Sequence, residues 1–334
     1  MSMPIRLAFI GAGLFVRDSY VPSILRLGDT FQVVAVCSRT VESAQKAAVL
    51  FPKHPEIYTD SAALLARDDV EAVAVVLPIN ALPAAVSQAL ASGKHVISEK
   101  PIAPDVATGK PLLDRQRNGQ VWMVAENWRY EDAFLQAAEV VRAGKIGKPV
   151  LCHWSLQISM TPQNKYYQTP WRRVGDFPGG FLLDGGVHQM AALRMIFGEI
   201  VSVSAFAAQM RADLPPADTL TAALRFESGL IGAFSLTYAV GSNLSQALHV
   251  VGEQGTLRVD RATLEVYRDD ETRSTSFPQH GIEAELAAFA AAVRDGQPHR
   301  SSAREALQDV AVIEALLRSA EQGRAVTPET IAFK

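Results

Sequence analysis

Over its first third the chain alternates short apolar runs with longer segments of helical period. The runs lie at about 6–10, 33–37, 72–77, 95–98 and 121–125. Apolar, mostly β-branched residues fill nearly every position of them, as in strands buried on both faces. Helical spacing marks 41–50, 61–66, 82–92 and 106–118, with Gly93 closing the third. Strand, helix, strand in repetition predicts a parallel sheet with helices on both faces. After about Glu126 the pattern changes. A helix at 132–143 ends at Gly144, and from 150 onward apolar and polar positions alternate. The strands so predicted are 150–158, 201–209, 220–226, 230–238, 248–251, 256–259, 264–267 and 272–277. Glu227-Ser228-Gly229 makes a hairpin turn between two of them. One helix, 187–197, is inserted early, and two more, 282–294 and 303–321, end the chain. The last opens with Ser302-Ala303-Arg304-Glu305, a capping box.

The first strand runs into Gly11-Ala12-Gly13-Leu14-Phe15-Val16, a glycine turn before a helix. A dinucleotide pyrophosphate needs this order: Gly11 for the tight turn, Gly13 for close backbone approach, and the free N–H groups of a helix start. Val16 stands where a third glycine is usual, so the motif is incomplete and also fits a plain strand–turn–helix. The fold class expected is α/β: a Rossmann dinucleotide-binding domain over 1–125, then an α+β domain on a mostly antiparallel sheet over 126–334. The second domain is expected to bind substrate and to form oligomers, and the last helix can pack back on the first.

Composition narrows the class. The 334 residues suggest two domains. A net charge of −3 without a basic tract argues against a nucleic-acid partner. No run of eighteen apolar residues points to a membrane span. The first strand begins near Ile5, leaving no room for a signal peptide. Two cysteines, Cys37 and Cys152, form no disulfide framework and fit a reducing, cytoplasmic compartment. No metal-ligand spacing is present.

Four stretches can carry chemistry. The second strand ends in Cys37-Ser38-Arg39-Thr40, where an NAD-binding domain would place an acid for the ribose diol. An arginine between two hydroxyls suits a 2′-phosphate instead, which favours NADP(H) over NAD(H); a solvated loop arginine is the alternative. Ser98-Glu99-Lys100-Pro101 follows the fourth strand. Lys100 is at the carboxyl end of the sheet, where ligands bind, although on position alone a surface lysine is the plainer reading. Asp184 and His188 are four residues apart, so on a helix they share a face. A carboxylate beside an imidazole makes a proton donor, while a helix N-cap with a filler histidine is the plainer reading. Between Lys100 and Asp184, the stretch 159–180 lacks periodicity and holds Tyr166, Tyr167, Trp171, Arg172 and Arg173. Such side chains stack on sugars and grip anions, or form a subunit-contact arm. Trp128 and Arg129 at the domain junction can face the same substrate.

Over nearly its whole length the chain resembles the glucose–fructose oxidoreductase / inositol dehydrogenase / rhizopine-catabolism (Gfo/Idh/MocA) family. The likeness is carried by Ala8–Gly13, by Gly93-Lys94-His95-Val96 with Glu99-Lys100-Pro101, by Ala125–Tyr130, and by Gly179–His188. It implies an NAD(P)-dependent oxidoreductase moving hydride between nicotinamide C4 and a carbonyl or alcohol carbon of a sugar, polyol or related small molecule. Lys100, Asp184 and His188 match the family's catalytic lysine, aspartate and histidine. Cofactor contacts are expected from Gly11, Gly13, Leu14 and Phe15, from Ser38, Arg39 and Thr40, and from Leu77, Pro78 and Asn80. Glu99, Lys100, Pro101 and Asn127 complete that set. Trp128, Arg129, Tyr167, Trp171 and Arg172 are expected at the substrate, and a homodimer or homotetramer through the second sheet. Val16, Tyr20, Leu82 and Ala191 depart from the pattern, Ala191 with an expected effect on sugar-hydroxyl recognition. A non-catalytic dinucleotide-binding regulator and an NAD-dependent glycoside hydrolase are the rival readings.

Overall fold

The structure is a computed structural model that describes residues 3–243 and 246–332. Six parallel strands form the first sheet: β1 (Ile5–Ile10), β2 (Phe31–Cys37), β3 (Glu56–Tyr58), β4 (Ala72–Val75), β5 (His95–Glu99) and β6 (Trp122–Ala125). Their order is β3-β2-β1-β4-β5-β6. β1, β4 and β6 are almost wholly buried, which is why their sequences are continuous apolar runs. β3 is a three-residue edge strand too short to give a periodic signal.

Helices α1 (Val21–Arg26), α2 (Val41–Ala48), α3 (Ser61–Leu65), α4 (Leu82–Ala91) and α5 (Val106–Leu113) connect these strands. Side chains cap three of them: Thr40 accepts from the Ser43 N–H, Asp60 from Ala62 and Asp105 from Thr108. α5 stops at Leu113, short of the expected 118. Pro111 inside it donates no N–H and crowds the preceding turn.

The helix after the glycine turn also differs from expectation. Residues Val16–Tyr20 form a π turn, and the Val21 N–H reaches back to the Val16 carbonyl. Two residues explain it. Val16 is fully buried where a glycine is usual, so the backbone must stand off to make room for it. Pro22 follows, and its ring would crowd an α-helical carbonyl four residues back.

The second sheet has eight strands: β7 (Pro149–Ser159), β8 (Ile200–Ala208), β9 (Thr219–Phe226), β10 (Ile231–Val240), β11 (Leu248–Gly252), β12 (Gly255–Val259), β13 (Thr263–Arg268) and β14 (Glu271–Ser276). Their order is β14-β13-β12-β11-β7-β10-β9-β8, antiparallel except for the β7–β10 pair. β9 and β10 bury every second residue, and the Glu227–Gly229 turn joins them. The remaining helices are α6 (Asp132–Arg142), α7 (Phe181–Phe197), α8 (Gly281–Asp295) and α9 (Ala303–Gln322).

The chain separates into two compact units, Met1–Asn127 with His280–Leu307 and Trp128–Gln279 with Gln308–Lys334. Residues 280–307 thus group with the first sheet, whereas a single cut near 125 gave them to the second domain. Arg294 on α8 donates to Glu71 at 2.8 Å, and Arg26 on α1 pairs with Glu283 at 2.5 Å.

Candidate active-site residues

In the first unit the candidate cofactor residues cluster at the carboxyl ends of the parallel strands. Gly11 has φ +107, and a Cβ there would lie 2.0 Å from the Val76 carbonyl oxygen. Only glycine fits, and its N–H donates to the Cys37 carbonyl at 2.9 Å. Gly13 is exposed, and a Cβ there would meet nothing within 4 Å. The cradle is therefore open on the side from which a pyrophosphate approaches. Leu14 and Phe15 are half-buried, and the Phe15 ring stands edge-on to Tyr20, centroids 5.7 Å apart.

At the end of β2, Arg39 is exposed and has no ion-pair partner among the described residues. Ser38 is half-buried beside it. Thr40 is committed as the α2 N-cap, so its oxygen serves the helix, a duty the sequence reading did not assign. After β4, Leu77 and Pro78 are half-buried, and the Pro78 carbonyl accepts from Ala81 and Leu82 as α4 begins. Asn80 is exposed. Leu82, where relatives often have histidine, is fully buried in that first turn.

Lys100 follows β5, half-buried, with a cis peptide to the buried Pro101. Glu99 before it points inward: it is 8% exposed and accepts from the Tyr20 hydroxyl at 2.8 Å. Burial, then the charges of Glu99 and Glu285, push the Tyr20 phenol far above its ordinary range. Tyr20 is therefore a fixed donor that anchors the strand end carrying Lys100. Glu99 is thus engaged within the protein through one carboxylate oxygen. Asn127 is half-buried at the start of a 3₁₀ turn.

In the second unit α7 starts at Phe181, six residues before the expected 187, with Gly180 as its N-cap. Asp184 is therefore inside the first turn rather than capping it. Its carboxylate accepts from Arg172 Nε at 2.7 Å, and both side chains are largely buried. The Arg172 guanidinium lies 4.1 Å from the Trp171 ring centroid and 5.1 Å from that of Tyr166. Arg172, expected at the substrate, uses its Nε to hold Asp184 in place. His188, one turn on, stacks on Trp128 with centroids 5.2 Å apart and 13° between planes. Trp128 in turn packs on Phe134 and Trp154 and lies 5.6 Å from the Arg261 guanidinium. The imidazole thus has a fixed orientation supplied by a ring sixty residues earlier.

Arg129 is not available to a substrate. It is 4% exposed and donates to Asp309 at 2.7 Å, and Arg194 binds the other Asp309 oxygen at 2.6 Å. This buried group ties α7 and α9 together. Tyr167 is half-buried and gives its hydroxyl to Asp213 at 2.8 Å, with Arg173 stacked on its ring. Trp171 is half-buried against Phe177. Ala191 is fully buried, so the small residue there packs the core and does not face a sugar. Among the described residues no group of three or more His, Cys, Asp or Glu side chains could hold a metal ion, and no helix is long and apolar enough to cross a membrane.

Two family descriptions match the chain: an oxidoreductase-family NAD-binding Rossmann fold over residues 5–126 and an oxidoreductase-family C-terminal alpha/beta domain over 138–327. Dehydrogenase FPY6 of Fusarium mangiferae is 32% identical, covering 94% of this chain and 96% of its own length. D-apiose dehydrogenase of Paraburkholderia graminis is 26% identical over 96% and 88%. The crystal structure of an oxidoreductase from Thermotoga maritima superposes with a TM-score of 0.90 at 34% identity, covering 97% of this chain and 98% of that one. A glycine cradle that only Gly11 permits, a lysine at the sheet's carboxyl end, an aspartate–histidine pair one helical turn apart and these matches agree: the chain belongs to the Gfo/Idh/MocA family of oxidoreductases.

Proposed function

We propose that this enzyme is an NADP(H)-linked dehydrogenase of a small sugar, polyol or related aldehyde or ketone. The carrying observation is the fixed His188: stacked on Trp128 and one turn from a carboxylate that Arg172 holds. An imidazole so oriented can pass a proton to or from a substrate oxygen. The open face at Gly13 fits a dinucleotide pyrophosphate, with Leu14 and Phe15 starting the helix whose N–H groups face it. Ser38 and the unpaired, exposed Arg39 suit a 2′-phosphate. When bound, the dinucleotide supplies or accepts the hydride at C4 of its nicotinamide.

On this reading His188 gives the proton to the carbonyl oxygen in reduction and takes it from the alcohol in oxidation. Lys100, matched to the family's catalytic lysine, supplies positive charge at the carboxyl end of the first sheet. Asp184 keeps the imidazole in its working tautomer. The sugar class is supported by the D-apiose dehydrogenase relative.

The test is a panel of aldoses, polyols and aldehydes followed at the reduced-cofactor absorbance. His188→Ala is expected to lose ~10²–10⁴-fold in rate with cofactor affinity little changed. An unchanged rate in His188→Ala removes the proton-transfer role. Arg39→Ala is expected to raise KM for NADPH roughly tenfold or more, the value of a charge-assisted contact, and to spare NADH. Tighter binding of NADH by the unaltered enzyme rejects the NADP(H) preference.

The second sheet also supports self-association into a homodimer or homotetramer. The face carrying Leu151, Ile231, Val251 and Phe206 leaves these apolar residues exposed, Phe206 at 78%. Ile231→Glu is expected to lower the sedimentation mass, and an already monomeric protein refutes the assignment. Both cysteines are free and buried, which supports a reducing cytoplasm as the setting.

A further inference from the structure

The second unit holds one more polar group at the His188 helix. α7 carries two adjacent glycines, Gly185 and Gly186, in its first turns. A Cβ on Gly186 would lie 2.8 Å from Ile313, an ordinary case of helix packing. At Gly185 the neighbour is different. A Cβ there would lie 1.8 Å from the Tyr238 hydroxyl oxygen, so the phenol tip occupies the notch that the missing side chain leaves. Residues 185 and 188 are three apart on one helix and share a side, as do 184 and 188. The hydroxyl of β10 is therefore delivered onto the stripe that carries the aspartate and the imidazole.

That hydroxyl makes no hydrogen bond to any described residue, though Tyr238 is only 3% exposed. Its ring is fixed by Phe181, centroids 5.4 Å apart, and its backbone N–H donates to the Asp218 carbonyl at 2.8 Å. The ring is buried, but the hydroxyl oxygen is not among the enclosed polar atoms that lack a partner, so its tip stays accessible and its donor is open to a ligand oxygen. Burial, reinforced by the nearby Asp184 charge, pushes the phenol far above its ordinary range, so the group stays a donor and never becomes a base.

We propose that Tyr238 is a specificity-determining residue that donates a hydrogen bond to a hydroxyl or carbonyl oxygen of the substrate beside His188. This rests on the dehydrogenase reading above. It selects substrates with a second oxygen next to the reacting carbon, as in sugars and polyols, over simple aldehydes and alcohols. No proton is transferred by the phenol.

The test compares Tyr238→Phe, His188→Ala and the unaltered enzyme on aldopentoses, including D-apiose, and on deoxy analogues lacking one oxygen. Tyr238→Phe is expected to lose about tenfold in kcat/KM, mainly through KM, the value of one hydrogen bond. On the analogue lacking the partnered oxygen the two enzymes are expected to be equal. Its melting temperature is expected to hold, because the hydroxyl removed has no hydrogen-bond partner among the described residues. A kcat/KM within twofold on every sugar overturns the proposal. So does a fall of several degrees in melting temperature with unchanged sugar selectivity, which assigns the hydroxyl to an internal water. Loss of turnover in His188→Ala with full turnover in Tyr238→Phe rejects this inference alone. No turnover of any sugar by the unaltered enzyme rejects the substrate class and this inference with it.

Discussion

Arg172→Met isolates the contact that fixes Asp184. The substitution keeps an unbranched chain of similar bulk and removes the cation. In the structure Arg172 Nε meets Asp184 Oδ2 at 2.7 Å, and the two side chains are 16% and 11% exposed. A hydrogen bond to a charged group contributes about 1.5–3 kcal/mol. Breaking a fully buried pair costs about 3–5 kcal/mol, because one charge is left stranded. Residual exposure lets water reach Asp184 here, which puts the loss near the lower range. The stacking of the guanidinium on Trp171 at 4.1 Å adds roughly 0.5–1 kcal/mol. A total of about 2–4 kcal/mol follows, and at about 2–4 °C per kcal/mol for a domain of 150–250 residues the melting temperature is expected to drop by roughly 4–16 °C. Trp128, Trp154 and Trp171 all lie in this unit, so tryptophan fluorescence follows its unfolding. The rate with any turned-over substrate is expected to fall as well, since Asp184 loses its fixed position. A double-mutant cycle with Asp184→Asn is expected to return a coupling of about 1–3 kcal/mol. A melting temperature within a degree of the unaltered protein, with additive effects in the cycle, refutes the assignment of Arg172 as the holder of Asp184.

Three further outcomes follow from the geometry. Gly13→Ala is expected to leave the melting temperature unchanged and weaken the dinucleotide, because its Cβ meets only open space, whereas Gly11→Ala strikes the Val76 carbonyl and destabilises the fold. Equal thermal losses in the two variants would contradict that division. Tyr20→Phe removes the buried donor to Glu99 and is expected to cost about 1.5–3 kcal/mol in denaturant unfolding of the first unit; an unchanged midpoint rejects the anchoring role. Burial holds the His95, His249 and His299 imidazoles below the ordinary value, His249 also feeling His153 stacked 4.7 Å away. The unfolded chain therefore takes up protons first as pH falls, so stability is full above about 6.5 and declines below it. A melting temperature that stays level from pH 7 to pH 5 is the contrary result.

Local pattern alone determined the two-part architecture, the glycine turn, the helix faces and the family strings around Lys100 and His188. These follow from short-range rules: continuous apolar runs mean strands covered on both sides, and alternation means strands covered on one. The boundaries that moved did so for local reasons that a periodicity count overlooks, as at Pro111 in α5 and at Val16 and Pro22 in the π turn. What each polar side chain touches was decided elsewhere. Arg129 looks like a substrate residue until α9 brings Asp309 to it across 180 positions. The hydrogen bond on Glu99 comes from Tyr20, 79 positions away, and no local pattern announces it. Tyr238 carries no sequence signal at all, since its meaning comes from the glycine it lies against on α7. Periodicity records which way a side chain faces, but a hydrogen bond or ion pair needs a particular partner within about 3 Å, and only the packed chain chooses that partner.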